Sequence, residues 1–194
     1  MKKITKFIIS FLLLALALFF ISCFVLDKIQ DLQEQEIVSL KSKIIPMRFT
    51  LQQRGSSFEV EYSLLDLKGD IIKTKKELIR GNEFFIDCIV KDFNSDVKVA
   101  FPVIFYSNVM ASSDGVLIAY EYNKDGFPDI FRGVTTKEKK RFVKLYDEVL
   151  NETKSKNTFR SSPHILATEK KETYVLVSRI RGGLEILKAD DAEE

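Results

Sequence analysis

The chain has 194 residues, 45% hydrophobic and 30% charged, which excludes a disordered chain and is enough for a single core. With 30 Lys and Arg against 28 Asp and Glu the formal net charge is +2, and so balanced a surface argues against nucleic acid as a partner. Trp is absent and Phe numbers 16, so phenylalanine has to supply the large core volumes.

The first element is apolar. Lys2, Lys3 and Lys6 form a short basic region, and residues 7–26 then run without a charge. As a helix, such a run is about 30 Å long, the thickness of the hydrocarbon core of a bilayer. Lysines before it and Asp27 after it favour an N-terminus held in the cytoplasm. Ala15-Leu16-Ala17 satisfies the small-residue rule for signal cleavage, but a cut there leaves apolar residues 18–26 exposed, which argues against a soluble secreted product.

Two anchored readings follow. The segment Ala17-Leu18-Phe19-Phe20-Ile21-Ser22-Cys23 resembles the permissive lipobox of bacterial lipoproteins, particularly the Phe-Ile-Ser-Cys endings of spirochaete surface lipoproteins. The resemblance covers residues 1–23 only. It implies cleavage before Cys23, which would then carry the lipids. The sequence departs from the stricter pattern at Phe20, where Leu is usual, and at Phe24-Val25-Leu26, where small polar residues usually follow. That apolar continuation is what an uncleaved transmembrane anchor carries. Either way the remainder is extracytoplasmic, on the periplasmic side of an inner membrane or, if lipidated, at an outer membrane.

Residues 27–46 are polar with apolar positions at Ile29, Leu32, Ile37, Leu40 and Ile44, a spacing that predicts a helical stalk stopped by Pro46. Residues 47–189 form the predicted globular domain. Phe58, Val60, Tyr62 and Leu64 alternate with Glu59, Glu61 and Ser63, as in a half-buried strand. A turn at Leu67-Lys68-Gly69-Asp70 precedes a strand over 71–78, and Arg80-Gly81-Asn82 breaks the chain again. Strands over 83–93 and 97–106 flank a turn at Asn94-Ser95-Asp96. Pro102 within the second marks an edge strand or a bulge, because it has no N–H to donate to a ladder. A further strand is expected over 116–122, then a turn at Asn123-Lys124-Asp125-Gly126.

Thr135 and Glu138 form a capping-box pattern ahead of one amphipathic helix with Phe142, Leu145, Tyr146, Val149 and Leu150 on one face. Strands over 174–179 and 184–188 make a hairpin around Gly182-Gly183, and the acidic tail 190–194 is expected to fray. The sum is an α+β domain of mostly antiparallel β, closed as a small barrel or a sandwich, with one C-terminal helix and an N-terminal membrane segment in front.

Chemistry is weakly signalled. Glu121, Asn123, Asp125 and Asp129 partly match the alternate oxygen ligands of a calcium loop, but Arg132 stands where a bidentate Glu should close the site. Ser161 or Ser162 with His164 would be the material for a hydrolase, without a nucleophile-elbow pattern or an orienting acid. Cys88, alternating with Phe84, Ile86 and Val90, reads as a core residue, and it has no metal-ligand spacing with Cys23. Glu59 and Glu61 share a solvated face. Lys137, Lys139, Lys140, Arg141 and Lys144 concentrate basic charge on the helix, suited to anionic lipid or to an acidic partner as well as to plain solvation.

No catalytic residue, metal or cofactor is assigned. The reading is a membrane-anchored extracytoplasmic protein with a non-enzymatic interaction or accessory role, its partner another envelope protein, and the edge or patch over 97–106 the first candidate surface. The alternative is a module for an apolar, lipid-like ligand, and a hydrolase ranks third. Intact mass of protein extracted from its native membrane separates the anchors: loss of residues 1–22 with an acylated Cys23 marks a lipoprotein, and an unmodified chain retaining them marks a bitopic protein.

Overall fold

The structure, a computed structural model, describes Phe20, Ser22 and residues 43–92, 98–124, 127–132, 139–155, 161–179 and 183–192. The chain divides into two compact units, Met1–Leu40 and Lys41–Glu194, and the elements below belong to the second. Among the described residues no helix is long and apolar enough to cross a membrane. Residues 27–42 of the expected stalk, Cys23, and the capping pair Thr135 and Glu138 lie outside them.

Strands β1 (Lys43–Arg54), β2 (Ser57–Leu65) and β3 (Ile71–Arg80) run as a meander, followed by β4 (Glu83–Asp92) and β5 (Lys98–Ser107). Short strands β6 (Val116–Leu117), β7 (Asn123–Lys124) and β8 (Phe127–Pro128) lead to helix α1 (Lys139–Lys154), and β9 (His164–Leu166), β10 (Glu172–Arg179) and β11 (Leu184–Lys188) complete the unit. A five-stranded sheet has the order β11-β10-β1-β2-β3, a four-stranded sheet the order β6-β5-β4-β9, and β7 and β8 form a small hairpin. Every pairing is antiparallel. The described strands form no closed barrel.

Alternation in β2 decides the orientation of the first sheet. Phe58, Val60, Tyr62 and Leu64 are buried while Glu59, Glu61 and Ser63 stay half-exposed, the solvated face the sequence predicts. The buried side of this sheet meets the four-stranded sheet through rings. Phe84 lies 5.3 Å from Phe49 and 5.6 Å from Phe58, and Phe105 lies 4.8 Å from Tyr62 and 5.1 Å from Phe84, all edge to face. Each such pair contributes about 0.5–1.5 kcal/mol beyond its area burial. A second aromatic group brings in the helix: Phe131 stacks on Phe142 of α1 at 4.5 Å and meets Phe101 of β5 at 5.9 Å.

Both prolines of the long strands sit at irregularities. Asp87 pairs with Ile104 but Cys88 with Pro102, so β5 carries one extra residue beside Pro102, and of the two readings of that proline the bulge holds, not the edge strand. In β1 the register against β10 slips between Ile44 and Met47, around Pro46. Pro46 therefore stops no helix. It lies within a strand that begins at Lys43, ahead of the boundary expected at residue 47.

The strand expected over 116–122 is also shorter than predicted. Val116 and Leu117 alone pair with β5, and Ala119–Tyr122 coils into a 3-10 turn. A strand would put Tyr120 and Tyr122 on one face. The three-residue period instead buries Ala119 and Tyr122 together and leaves Tyr120 at the surface, 43% exposed.

At the other end of the unit the acidic tail is anchored as far as it is described. Asp190–Ala192 makes a 3-10 turn, and Ala192 is buried with Val175 and Val177 against Ile45 and Leu187. The Lys43 ammonium donates to the Ala192 carbonyl, joining the start of β1 to this turn.

Gly115 precedes β6 at a close approach of backbone to backbone. A Cβ there would overlap the Phe105 carbonyl oxygen and come within 2.7 Å of the Ile104 side chain. Gly115→Ala is expected to lower stability by about 1–3 kcal/mol, the usual cost of overpacking, read as a shifted denaturation midpoint of the full chain in detergent.

Candidate functional site

The residues that the sequence marks for chemistry do not converge. The Glu121 carboxylate is turned to β3, where Lys75 lies at 2.5 Å and Lys73 pairs with its second oxygen. Burial alone would raise the Glu121 pKa, but the hydrogen bonds and charges of the two lysines outweigh it and hold the carboxyl below its ordinary value. Asp129 pairs with Arg132 at 3.5 Å, the residue standing in the ligand position. Asp125 lies outside the described residues. Among those described, no three His, Cys, Asp or Glu residues gather where a metal ion could be held.

The Ser–His arrangement is likewise divided. Ser162 Oγ donates to Asp87 at 2.5 Å, and Ser161 is tied through its backbone to Cys88. His164 Nε2 faces Glu83 at 3.4 Å, and its ring stacks on Phe85. Serine and histidine thus belong to separate pairs, with no hydrogen bond between them. Cys88 is a free, buried thiol, pushed well up in pKa by desolvation and then by the neighbouring Asp87 charge, as suits a core residue. Tyr122 is buried with no partner for its hydroxyl among the described residues, and burial pushes that group well above its ordinary range.

Of the segment over 97–106, most is buried and Lys98 and Tyr106 alone among its described residues reach the surface. In β5 all residues from Val99 to Phe105 are buried, because the strand lies between the aromatic core on one side and the elements around α1 on the other. The exposed apolar face lies across the same sheet instead. Phe84 points into the core, so Phe85 points away from it. Phe85 pairs in register with Tyr106 on β5 and with His164 on β9, and stacks on each at 5.0 Å. One step along, Leu166 opposite Glu83 is 59% exposed, and in the other direction Leu117 opposite Ile104 is 44% exposed. Leu166, His164, Phe85, Tyr106 and Leu117 therefore form a strip running over all four strands.

This strip has a polar fixing point. Asp87 is buried and accepts hydrogen bonds from Ser112 at 2.7 Å and Ser162 at 2.5 Å, joining the loop before β6 and the approach to β9 to the centre of β4. Sequence reasoning missed Phe85 and Leu166 as a surface, and of the segment it named only the last residue, Tyr106, belongs to the strip. The run Phe84-Phe85-Ile86 is apolar on both parities and reads as a strand buried on both sides.

No family model matches this chain, and neither a curated protein nor a solved structure matches it.

The roles of Asp87 and His164 are separable by stability. Asp87→Ala leaves two serine hydroxyls without their acceptor and is expected to cost about 2–4 kcal/mol. His164→Ala, at an exposed position, is expected to stay within about 0.5 kcal/mol of the parent. Thermal or denaturant unfolding of both variants checks this.

Proposed function

We propose that the protein is a membrane-tethered, extracytoplasmic interaction module without catalytic activity, its β-rich domain closed as a sandwich and offering the outer face of the four-stranded sheet to another envelope protein. The observation that carries this is the strip of Leu166, His164, Phe85, Tyr106 and Leu117. It sets stacked rings and exposed aliphatic side chains on a rigid sheet, and Asp87, two residues from Phe85 on the same face of β4, ties the flanking loops to it. Contact surfaces are enriched in aromatic anchors of this kind, and rings already stacked lose little freedom on docking. The tether rests on the uncharged run over 7–26 and its basic flank.

The alternative, an apolar ligand held between the sheets, has less support. The rings of Phe49, Phe58, Tyr62, Phe84 and Phe105 occupy that space and meet one another edge to face. The hydrolytic reading has the separated Ser162 and His164 pairs against it.

The test is photo-crosslinking in the native membrane from single positions. A probe at Leu166 or Leu117 is expected to give one discrete adduct, lost when Phe85→Asp disrupts the strip. A probe at Leu78, more exposed than either and on β3 of the other sheet, should give none. Adducts of equal yield from all three positions would overturn the assignment, and turnover of any substrate by the purified chain would overturn the non-enzymatic reading.

A further inference from the structure

Basic charge is concentrated in the first half of α1 as it is described. Lys139, Lys140, Arg141 and Lys144 lie there, close together in sequence. Like charges so close make a local positive potential. The acids lie in the second half, and two of them are already matched: Lys91 of β4 pairs with Glu152 and reaches Glu148 at 3.9 Å. Lys140 and Lys144, one turn apart and exposed, have no ion-pair partner among the described residues, and the Lys139 ammonium stands 5.7 Å over the ring of Phe127. The far end of the helix repeats the last arrangement, with Lys154 6.0 Å over the exposed ring of Tyr120.

We infer that the first half of α1 is a docking surface for the anionic headgroups of a lipid bilayer, with Lys140 and Lys144 at its centre. Charge complementarity selects this occupant. A membrane surface supplies a sheet of negative charge that needs no shaped pocket, and an aromatic ring under a lysine suits the boundary between headgroups and water. The inference rests on the tethered reading, since an anchored chain meets the bilayer at high effective concentration and a few lysines then suffice.

The experiment is lysine acylation footprinting of the full chain incubated with nanodiscs of phosphatidylcholine alone, or of phosphatidylcholine and phosphatidylglycerol in equal parts. Labelling of Lys140 and Lys144 is expected to fall by on the order of fivefold in the anionic discs and to recover in about 0.5 M salt. Lys76 and Lys171, paired with Glu59 and Glu61 on the other sheet, should not change. Lys140→Glu with Lys144→Glu should remove the difference at Lys139. Incorporation into both discs with unchanged labelling would overturn the docking surface and leave the tether standing. Binding to anionic discs alone, with protection, would uphold the surface and remove the tether. Binding to neither would remove both.

Discussion

Phe84 is the residue on which the two sheets depend. Its ring touches Phe49 and Phe58 of the five-stranded sheet and Phe105 of its own, so one side chain ties β1, β2, β4 and β5 together. Without Trp, the chain builds its large core volumes from several rings that must fit one another. Edge-to-face geometry fixes the distance and angle between neighbours, and the sheets inherit their spacing from it. The consequence reaches the surface. With Phe84 committed inward, Phe85 is committed outward, and the exposed strip begins there.

The edge of the five-stranded sheet shows how charge protects a fold of this kind. β3 is a long outer strand, and unpaired strand edges invite association with other strands. Lys73 and Lys75 are in register with buried Leu64 and Tyr62, so they stand on the inward side of the edge. An incoming strand would have to cover those ammonium groups. Glu121 from the 3-10 turn pairs with both, so a carboxylate that in the sequence only partly matched a calcium loop instead stabilises an inward-facing pair of cations.

Much of the fold was legible in the sequence because alternation is a direct imprint of a half-buried strand. Residues 58–64 announced β2, and Pro102 announced an edge strand or a bulge, since a residue without an N–H has few places in a ladder. Pro46 misled for the same reason: it ends a helix and marks a bulge equally well, and only the partner strand β10 decides between them. Tyr120 and Tyr122 misled because a strand and a 3-10 turn share the same short run of aromatic residues, and burial of one ring against Phe101 is a tertiary fact. Of the candidate site less was legible. Leu166, Phe85 and Tyr106 come from three separate strands, and their common face exists only once register is set. Asp87 gains its role only once loops bring Ser112 and Ser162 to it.

The placement of β1 also has a mechanical meaning. The segment linking the domain to whatever precedes it enters at Lys43, the first residue of a strand flanked on both sides, by β10 and by β2. Lys43 is at the same point bonded to the turn that ends the described chain. Tension applied through that entry therefore runs along the axis of an interior strand. It has to slide two ladders at once, loading many hydrogen bonds in parallel. Had the entry been an outer strand such as β3, the same pull could have peeled it away one bond at a time.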